Sequence, residues 1–305
     1  MNAPSTSHPC PSQLRLDGRI ALVTGAGAGL GRAHALALAA RGASVVINDL
    51  HLAPAEAVAE EVRAAGGVAL ACAGSVTEEA AVQAMVEQAL GRFGRIDILV
   101  NNAGILRDKS FAKMSLDDFR LVVDVHLMGA VVCTKAVWET MRAQQFGRIV
   151  FTTSSSGLFG NFGQANYGAA KMALVGLMQT LSIEGEKANI RVNCLAPTAA
   201  TAMTQGILPP EALAVLTPES VSPGLVYLVS DEAPTRAILN AGAGVFAASH
   251  VGLGEPVFIG GGADAADRVA EAWPRISDRA GAIVPRNGME QSMREVGAVQ
   301  ARPVR

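Results

Sequence analysis

The stretch LVTGAGAGLGR, residues 22–32, places Gly25, Gly29 and Gly31 directly after a short apolar run and at the opening of an alanine-rich segment. Glycine tolerates positive φ and carries no Cβ to hold a ligand off. A helix that opens here presents free N–H groups and the positive end of its dipole. Strand, glycine turn and helix in that order predict a pyrophosphate-binding turn, with Leu30 lying among its glycines. In a chain with 32 glycines the pattern alone is weak, so the strand before it and the helix after it carry the reading.

Outward from that turn the chain alternates. RIALVTG, ASVVIND, GVALACAG, IDILVNNAG, GRIVFTTSS and NIRVNCLAP read as strands, apolar enough to be covered on both faces. Between them run segments of helical period. One starts near Gly29 and stops at Gly42; others are PAEAVAEEVRAAGG, TEEAAVQAMVEQALGRFG, a long segment from Leu116 to about Gln144, and one after Tyr167. Thr77 ahead of Glu78, Glu79 and Ala80 predicts a hydroxyl-capped start. This rhythm predicts an α/β fold with a Rossmann-type doubly wound parallel sheet in a single domain. The domain is expected over 14–262, after a flexible N-terminus, 1–13. A polar extension, 263–305, is expected either to order against the body or to reach a neighbouring subunit. QGILPPEALAVLTPESVSPG, residues 205–224, is proline-marked and reads as a loop with a short helix over a pocket mouth.

Half of the 305 residues are hydrophobic, enough for a large core, and only 17% are charged, with a formal net charge of -2. That balance argues against a nucleic-acid partner held by surplus Lys and Arg. Cys10, Cys72, Cys133 and Cys194 show no short pairing, so neither a metal site nor a disulfide framework is expected and the compartment reads as reducing. The first residues lack the basic start and apolar run of a secretory signal. Each apolar stretch is broken by Gly, Arg, Asp or Asn before it reaches bilayer length. The expectation is a soluble, cytoplasmic protein with no membrane partner.

Asp49 ends the second strand about twenty residues after the glycines, where a carboxylate accepts hydrogen bonds from ribose hydroxyls. Its charge repels a 2′-phosphate, and neither the loop before Leu30 nor Leu50 offers a cation to hold one. The expected cofactor is therefore NAD rather than NADP. NNAG, residues 101–104, closes the fourth strand and lays Asn102, Ala103 and Gly104 under the nicotinamide ribose. TTSSSG follows the fifth strand, with Ser154 thirteen positions before Tyr167, and Lys171 stands four positions after Tyr167. Together TGAGAGLG, NNAG, this serine and Tyr167-x-x-x-Lys171 resemble the short-chain dehydrogenase/reductase family. The resemblance implies a Rossmann-type fold, an NAD(P) cofactor and hydride transfer between a secondary alcohol and a carbonyl.

Residues four apart on a helix are neighbours whether or not they do chemistry. Here the chemistry accounts for the residue types. A carbinol gives up hydride more easily when its hydroxyl proton leaves at the same time. A phenol, with a pKa of about 10, is a poor base near neutral pH, and an ammonium group one turn away lowers that value. Lys171 is expected to do this to Tyr167 and also to reach the ribose, so both count as catalytic and cofactor-binding. Ser154 is expected to donate to the substrate oxygen; the spacing favours it over Ser155 and Ser156.

Three positions depart from the common family pattern. DVHLMG has His126 where many members carry an asparagine in a fourth catalytic role. The main-chain carbonyl that holds a water there survives the exchange, so His126 stands either in that role or as a buried, satisfied imidazole. AGSVTEE has Ser75 where an aspartate usually meets the adenine amino group; serine also accepts that bond, with the backbone of Val76 beside it. LAPTAATAMT keeps Pro197 but has Thr198 where a glycine is usual, near the carboxamide. With GNFGQANY, GRIDILVNNAGILRDKSFAKMS and MTQGILPPE, these features resemble one branch of the family, the dehydrogenase portion of type 2 multifunctional enzymes, over about Leu14 to Gly244.

That branch implies NAD-dependent oxidation of (3R)-3-hydroxyacyl-CoA to 3-oxoacyl-CoA, here by a free-standing dehydrogenase. A hydroxysteroid of the 17β type, or a steroid side-chain acyl-CoA, is the alternative small-molecule substrate. Reduction of 3-oxoacyl groups on a carrier protein is disfavoured by Asp49. An idle NAD-binding regulatory protein is disfavoured by the intact Ser154, Tyr167 and Lys171. KSFAKMS and GLFGNFG predict an apolar wall, with Lys109 and Lys113 at its rim, either meeting CoA phosphates or simply solvated. Family members pair through two long apolar helices, here MGAVVCTKAVWETM and GAAKMALVGLMQTLSIEG, which implies a homodimer or homotetramer.

Overall fold

Each of the six apolar runs forms a strand, and all six lie in one sheet. The computed structural model describes residues 13–200 and 210–300. The strands are β1 (Ile20–Val23), β2 (Ser44–Asp49), β3 (Ala69–Ala73), β4 (Ile98–Asn101), β5 (Gly147–Thr152) and β6 (Ile190–Thr198). Two more follow, β7 (Ile238–Gly242) and β8 (Val245–Ser249), in the order β3-β2-β1-β4-β5-β6-β7-β8. Pairing is parallel from β3 across to β7. Ala243 and Gly244, at φ 51° and 75°, make the two-residue turn into β8, as hairpin turns with two left-handed residues do. RAILNAGAGVFAASH was not expected to hold strands, because Ala, Asn and Gly dilute its β-branched pattern.

Helices α1 (Gly29–Ala40), α2 (Leu52–Ala64) and α3 (Glu79–Phe93) link the first four strands. Then come α4 (Leu116–Val123), α5 (Gly129–Gln144), α6 (Ser155–Phe159), α7 (Ala165–Glu184), α8 (Pro210–Val215) and α9 (Ser222–Val229). Alternate strand residues feed two cores, which is why the strands read as continuously apolar. Ile20, Leu22, Leu99, Ile149 and Phe151 pack with Val86 of α3, Val137 of α5 and Leu174 of α7. Ala21, Val23, Ile98 and Val150 pack on the other face with Leu38 of α1, Val58 of α2 and Leu225 of α9. Truncating one such fully buried Leu or Ile to Ala costs about 2–5 kcal/mol. The sheet order reverses between β1 and β4, and in a doubly wound sheet the crevice for a ligand opens there, beyond the carboxyl ends of the strands.

Four expectations are corrected. The segment from Leu116 to Gln144 is one helical run, but a π-turn at Asp124–Met128 interrupts it. By length and composition that run is able to cross a membrane, contrary to the reading of short apolar stretches. Val122, Cys133, Val137 and Met141 spend its apolar character on the core instead. Thr77 does not cap α3: the helix starts at Glu79 without a side-chain cap, and the Thr77 hydroxyl is 2.8 Å from that of Ser75. The division between compact units falls after Ala248 rather than at Gly262, giving Met1–Ala248 and Ser249–Arg305. Residues beyond β8 pair with one another, as in the antiparallel bridge of Leu253 with Ile283. This second unit holds α10 (Ala265–Ile276) and α11 (Gly288–Gln300), with Arg294 on α11 2.8 Å from Glu255. The expected N-terminal segment, save its last residue, and most of MTQGILPPE lie outside the described residues.

Candidate active site

The glycine turn after β1 and the NNAG turn after β4 form one hydrogen-bonded unit. Gly25 and Gly29 have φ of 59° and 54°, a region that favours glycine. A Cβ at Gly25 would stand 2.7 Å from Ala103 Cα, and one at Gly31 2.2 Å from Gly25 O and 2.6 Å from Asn102 Nδ2. Asn102 Nδ2 donates to Thr24 O and Gly25 O at 3.0 Å. The buried Thr24 Oγ1 accepts from the amides of Asn102 and Ala103 at 3.0 and 3.1 Å. Thr24 was not foreseen, because a lone threonine after a strand carries no motif of its own. Gly27 was also missed: its Cβ would meet Pro54 Cβ at 2.6 Å and Asp49 Oδ2 at 2.7 Å.

Asp49 braces the turn from the side. Its Oδ2 accepts from Gly27 N at 2.9 Å and its Oδ1 from Leu50 N at 2.8 Å. A carboxylate has acceptor sites beyond these two, so the predicted ribose contact is compatible with this bracing. The nearby cation, Arg32, is engaged elsewhere: its Nε donates to Glu61 Oε1 at 2.9 Å, and Glu219 lies 3.8 Å away. Ser75 Oγ is taken up within its own loop, accepting from Thr77 N at 3.3 Å. Val76 is buried, with its Cγ2 2.6 Å from where a Cβ on Gly129 would be.

A cavity of about 420 Å³ opens beyond this unit. Gly29, Leu30 and Gly31 line one side of it, Asn102 and Gly104 its floor, and Pro197 and Thr198 another edge. Asp49, Ser75, Gly25 and Ala103 stand outside the lining, and Val76 and Ala103 border a small void next to it. Ser154, Tyr167 and Lys171 all line the main cavity, brought together from the end of β5 and the first turns of α7. Ser154 caps α6, its Oγ accepting from Ser156 N at 3.2 Å, and its hydroxyl is the polar group that counters the burial of the Tyr167 phenol. Lys171, 3% exposed, donates from Nζ to Thr152 O at 2.5 Å and lies 5.4 Å from the Tyr167 ring centroid. Gly157 lets α6 approach this helix, since a Cβ there would be 2.8 Å from Lys171 Cβ.

Burial dominates the electrostatics. It pushes the Lys171 ammonium down to about 7. It also raises the Tyr167 phenol, with Asp108 adding to the rise and the Ser154 hydrogen bond opposing it. Lys171 was expected to draw Tyr167 downward; the phenol stands above its ordinary value instead. A desolvated lysine near pH 7 carries only part of its charge, and this one spends a proton on the Thr152 carbonyl.

His126 lies inside the π-turn, 3% exposed and lining the cavity. Its Nε2 is 2.7 Å from Ile105 O and 3.1 Å from Ile105 N. The shorter contact fits an N–H donor, which leaves Nδ1 as the acceptor. Nδ1 is buried with no partner, so the imidazole is buried but only half satisfied. Burial, with Lys171 adding to it, pushes its pKa down to about 3, so the ring is neutral. Its plane meets the Tyr167 ring edge-on, centroids 5.1 Å apart at 88°. Gly104 makes the space, for a Cβ there would be 2.2 Å from His126 Cε1.

A polar wall completes the cavity and was not foreseen. Gln164, 8% exposed, lines it three residues ahead of Tyr167. Its Oε1 accepts from Ser156 Oγ at 2.7 Å and Asn161 Nδ2 at 3.1 Å, and its Nε2 donates to Asp108 Oδ2 at 2.7 Å. The available signal was its i, i+3 spacing from Tyr167. Phe159 and Phe162, flanking Asn161, are 72% and 89% exposed, so the expected apolar wall is open. Lys109 pairs with Asp118, Nζ to Oδ2 at 3.2 Å.

Comparison with known proteins agrees with this geometry. A family model described as short chain dehydrogenase matches residues 19–212. The peroxisomal multifunctional enzyme type 2 of Drosophila melanogaster is 44% identical over 279 residues, covering 87% of this chain and 46% of the relative. A solved structure of the full-length fly enzyme of that name superposes with a TM-score of 0.81 at 38% identity, covering 94% of this chain and 50% of that one. The chain thus spans about half the length of that relative. A Mycobacterium tuberculosis protein named as a short-chain type dehydrogenase/reductase is 47% identical over 282 residues, 87% of this chain and 96% of its own. A 7α-hydroxysteroid dehydrogenase solved with NADH and 7-oxo glycochenodeoxycholic acid matches at 31% identity and TM-score 0.70, over 75% of this chain and 95% of that one. With its glycine turn, its serine, tyrosine and lysine in one cavity and a family model matched over most of its length, the chain belongs to the short-chain dehydrogenase/reductase family and is a dehydrogenase.

Proposed function

We propose that the chain oxidises (3R)-3-hydroxyacyl-CoA to 3-oxoacyl-CoA with NAD. The observation that carries the dehydrogenase chemistry is the convergence of Ser154, Tyr167 and Lys171 on one cavity beside the glycine turn. A dinucleotide fits that turn: Gly25, Gly27 and Gly31 have no room for a Cβ, and α1 opens without a side-chain cap at residues that line the cavity. When bound, the nicotinamide supplies the hydride acceptor. Asp49, with Arg32 already paired to Glu61, supports NAD over NADP.

In this reading Ser154 donates a hydrogen bond to the substrate oxygen, and Tyr167 removes the hydroxyl proton. Lys171 orients the ribose and takes on charge as the phenol loses its proton, which its value of about 7 permits near neutral pH. His126 presses its ring edge on Tyr167 and limits how the phenol swings. The acyl-CoA substrate is supported by similarity to multifunctional enzymes of type 2 and by the open aromatic rim of Phe159 and Phe162. A hydroxysteroid is the second reading, favoured by the fold match to the 7α-hydroxysteroid dehydrogenase. Exposed Met128 in the π-turn before α5 and exposed Met172 and Ile183 on α7 support a homodimer or homotetramer, and the cytoplasmic site remains part of the proposal. Initial rates with NAD across (3R)- and (3S)-3-hydroxyacyl-CoA chain lengths and a 17β-hydroxysteroid test it. Turnover of no (3R)-acyl-CoA overturns the substrate assignment.

A further inference from the structure

Gln164 is held in one orientation. Asp108 is acceptor-only when ionised, so the group facing its Oδ2 at 2.7 Å has to be the amide nitrogen. The other end agrees, because Oε1 receives both Ser156 Oγ and Asn161 Nδ2. A flipped amide would set its oxygen against a carboxylate and its NH₂ against the Asn161 donor. One hydrogen on Nε2 is therefore used by Asp108, and the other has no acceptor among the described residues. The side chain lines the same cavity as Ser154 and Tyr167 and is more than nine-tenths buried. A spare, oriented donor in a catalytic cavity is costly to leave unpaired once water is displaced.

We infer that Gln164 is a specificity-determining residue, whose free amide N–H receives a carbonyl oxygen carried by the substrate next to the carbinol that Tyr167 and Ser154 hold. Gln164 and Tyr167 are one turn apart at the start of α7, so acceptor and carbinol oxygen are bound side by side. The selected class is the β-hydroxy carbonyl compound: thioester, ester or amide. A secondary alcohol without that carbonyl leaves the donor bare. Asp108 is the positioning residue that holds the amide. Resting on the alcohol-oxidising reading above, this role narrows its substrate class and holds for carbonyl compounds with or without coenzyme A.

The test uses the full chain with NAD and two small alcohols, ethyl (3R)-3-hydroxybutyrate and a secondary alkanol of similar length. The wild type is expected to favour the ester by at least about tenfold in kcat/KM. Gln164→Met keeps the length and removes the donor together with the acceptor of Ser156 and Asn161; the lost acceptor touches both alcohols, so the expected result is a fall of about 10-fold or more in the ester-to-alkanol ratio of kcat/KM. Asp108→Ala frees the amide and also removes a charge that raises the Tyr167 phenol, an effect common to both alcohols, so it is read as a fall of about 3–10-fold in the ester-to-alkanol ratio, and it serves if the first variant does not fold. Parallel losses on both alcohols would mark a structural role and overturn the inference. So would a wild type that does not favour the ester, through turnover of neither alcohol or of both alike. Turnover of a (3R)-3-hydroxyacyl-CoA is measured separately. Its failure beside a Gln164-dependent ester preference removes the acyl-CoA reading and leaves this one standing.

Discussion

Gly104→Ala tests whether the NNAG turn ends in glycine for the sake of His126. Gly104 has no positive φ, so contact alone is at issue. A Cβ there would stand 2.2 Å from His126 Cε1 and 2.9 Å from Nδ1, against an optimum of about 3.5–4.0 Å between carbons. The imidazole has to retreat by more than about 1 Å. Its Nε2 bond to Ile105 O, its edge contact with Tyr167 and its burial all resist this. Overpacking of this kind costs about 1–3 kcal/mol. At about 2–4 °C per kcal/mol for a domain of this size, Tm falls by roughly 2–12 °C. The displacement also reaches the phenol, where a shift of about 1 Å costs about 100-fold in rate. Thermal melting and NAD-linked oxidation of a (3R)-3-hydroxyacyl-CoA measure the two effects. The double variant Gly104→Ala with His126→Ala removes the ring that the new methyl strikes, so its loss should fall short of the summed single losses by at least about 1 kcal/mol. A single variant that melts within about 1 °C of wild type at unchanged kcat/KM, or strict additivity, refutes the reasoning.

Tyr167→Phe should lower turnover by at least about 100-fold while NADH binding, followed by fluorescence titration, changes little; retained activity would remove Tyr167 as the base. Asp49→Arg should shift the NADP/NAD ratio of kcat/KM by about tenfold or more toward NADP through loss of a close negative charge, read as a ratio because Asp49 also holds Gly27 N. Burial depresses both His34 and His126 to about 3 in the folded state, against about 6.5 unfolded. Their contribution is therefore complete above pH 6.5 and is lost as pH falls toward 3, by about 1.4 kcal/mol per pH unit for each. Urea unfolding between pH 7 and 4 should show that slope, and substituting either histidine with Gln should halve it; a flat profile contradicts the burial argument.

The sheet was legible because β1, β2, β4, β5 and β6 are apolar and largely buried, so each announces itself without help from its neighbours, whereas β3, ALACA at the end of the sheet, has no β-branched residue and is mostly half-buried. β7 and β8 were not legible, since Ile238 and Ala241 supply too little apolar pattern and the edge is defined by pairing with β6 rather than by local preference. That Ser154, Tyr167 and Lys171 share one cavity was legible because the expected chemistry requires fixed spacing along α7 and a fixed distance from the end of β5. Their protonation was not. Whether a lysine lowers a phenol depends on how far both are desolvated, and that is set by Thr152, Asp108 and the packing of α6. The same limit hid Gln164: one glutamine acquires meaning only when Asp108, from a different connection, fixes which end of its amide faces inward.

The π-turn at Asp124–Met128 makes the helical run out of phase with itself. Its i to i+5 bonding takes in one residue more than the α repeat, and each residue of an α-helix advances the face by about 100°. Val122 before the turn and Cys133, Val137 and Met141 after it are all buried in the core. Because the turn already absorbs one extra residue, deleting a single residue within Asp124–Met128 leaves an ordinary α repeat with α4 and α5 in the same relative phase, whereas a deletion inside α5 rotates everything after it by about 100°. Folding should therefore survive a deletion in the turn far better than one a few residues later, a constraint on deletion scanning that no property of the individual residues reveals.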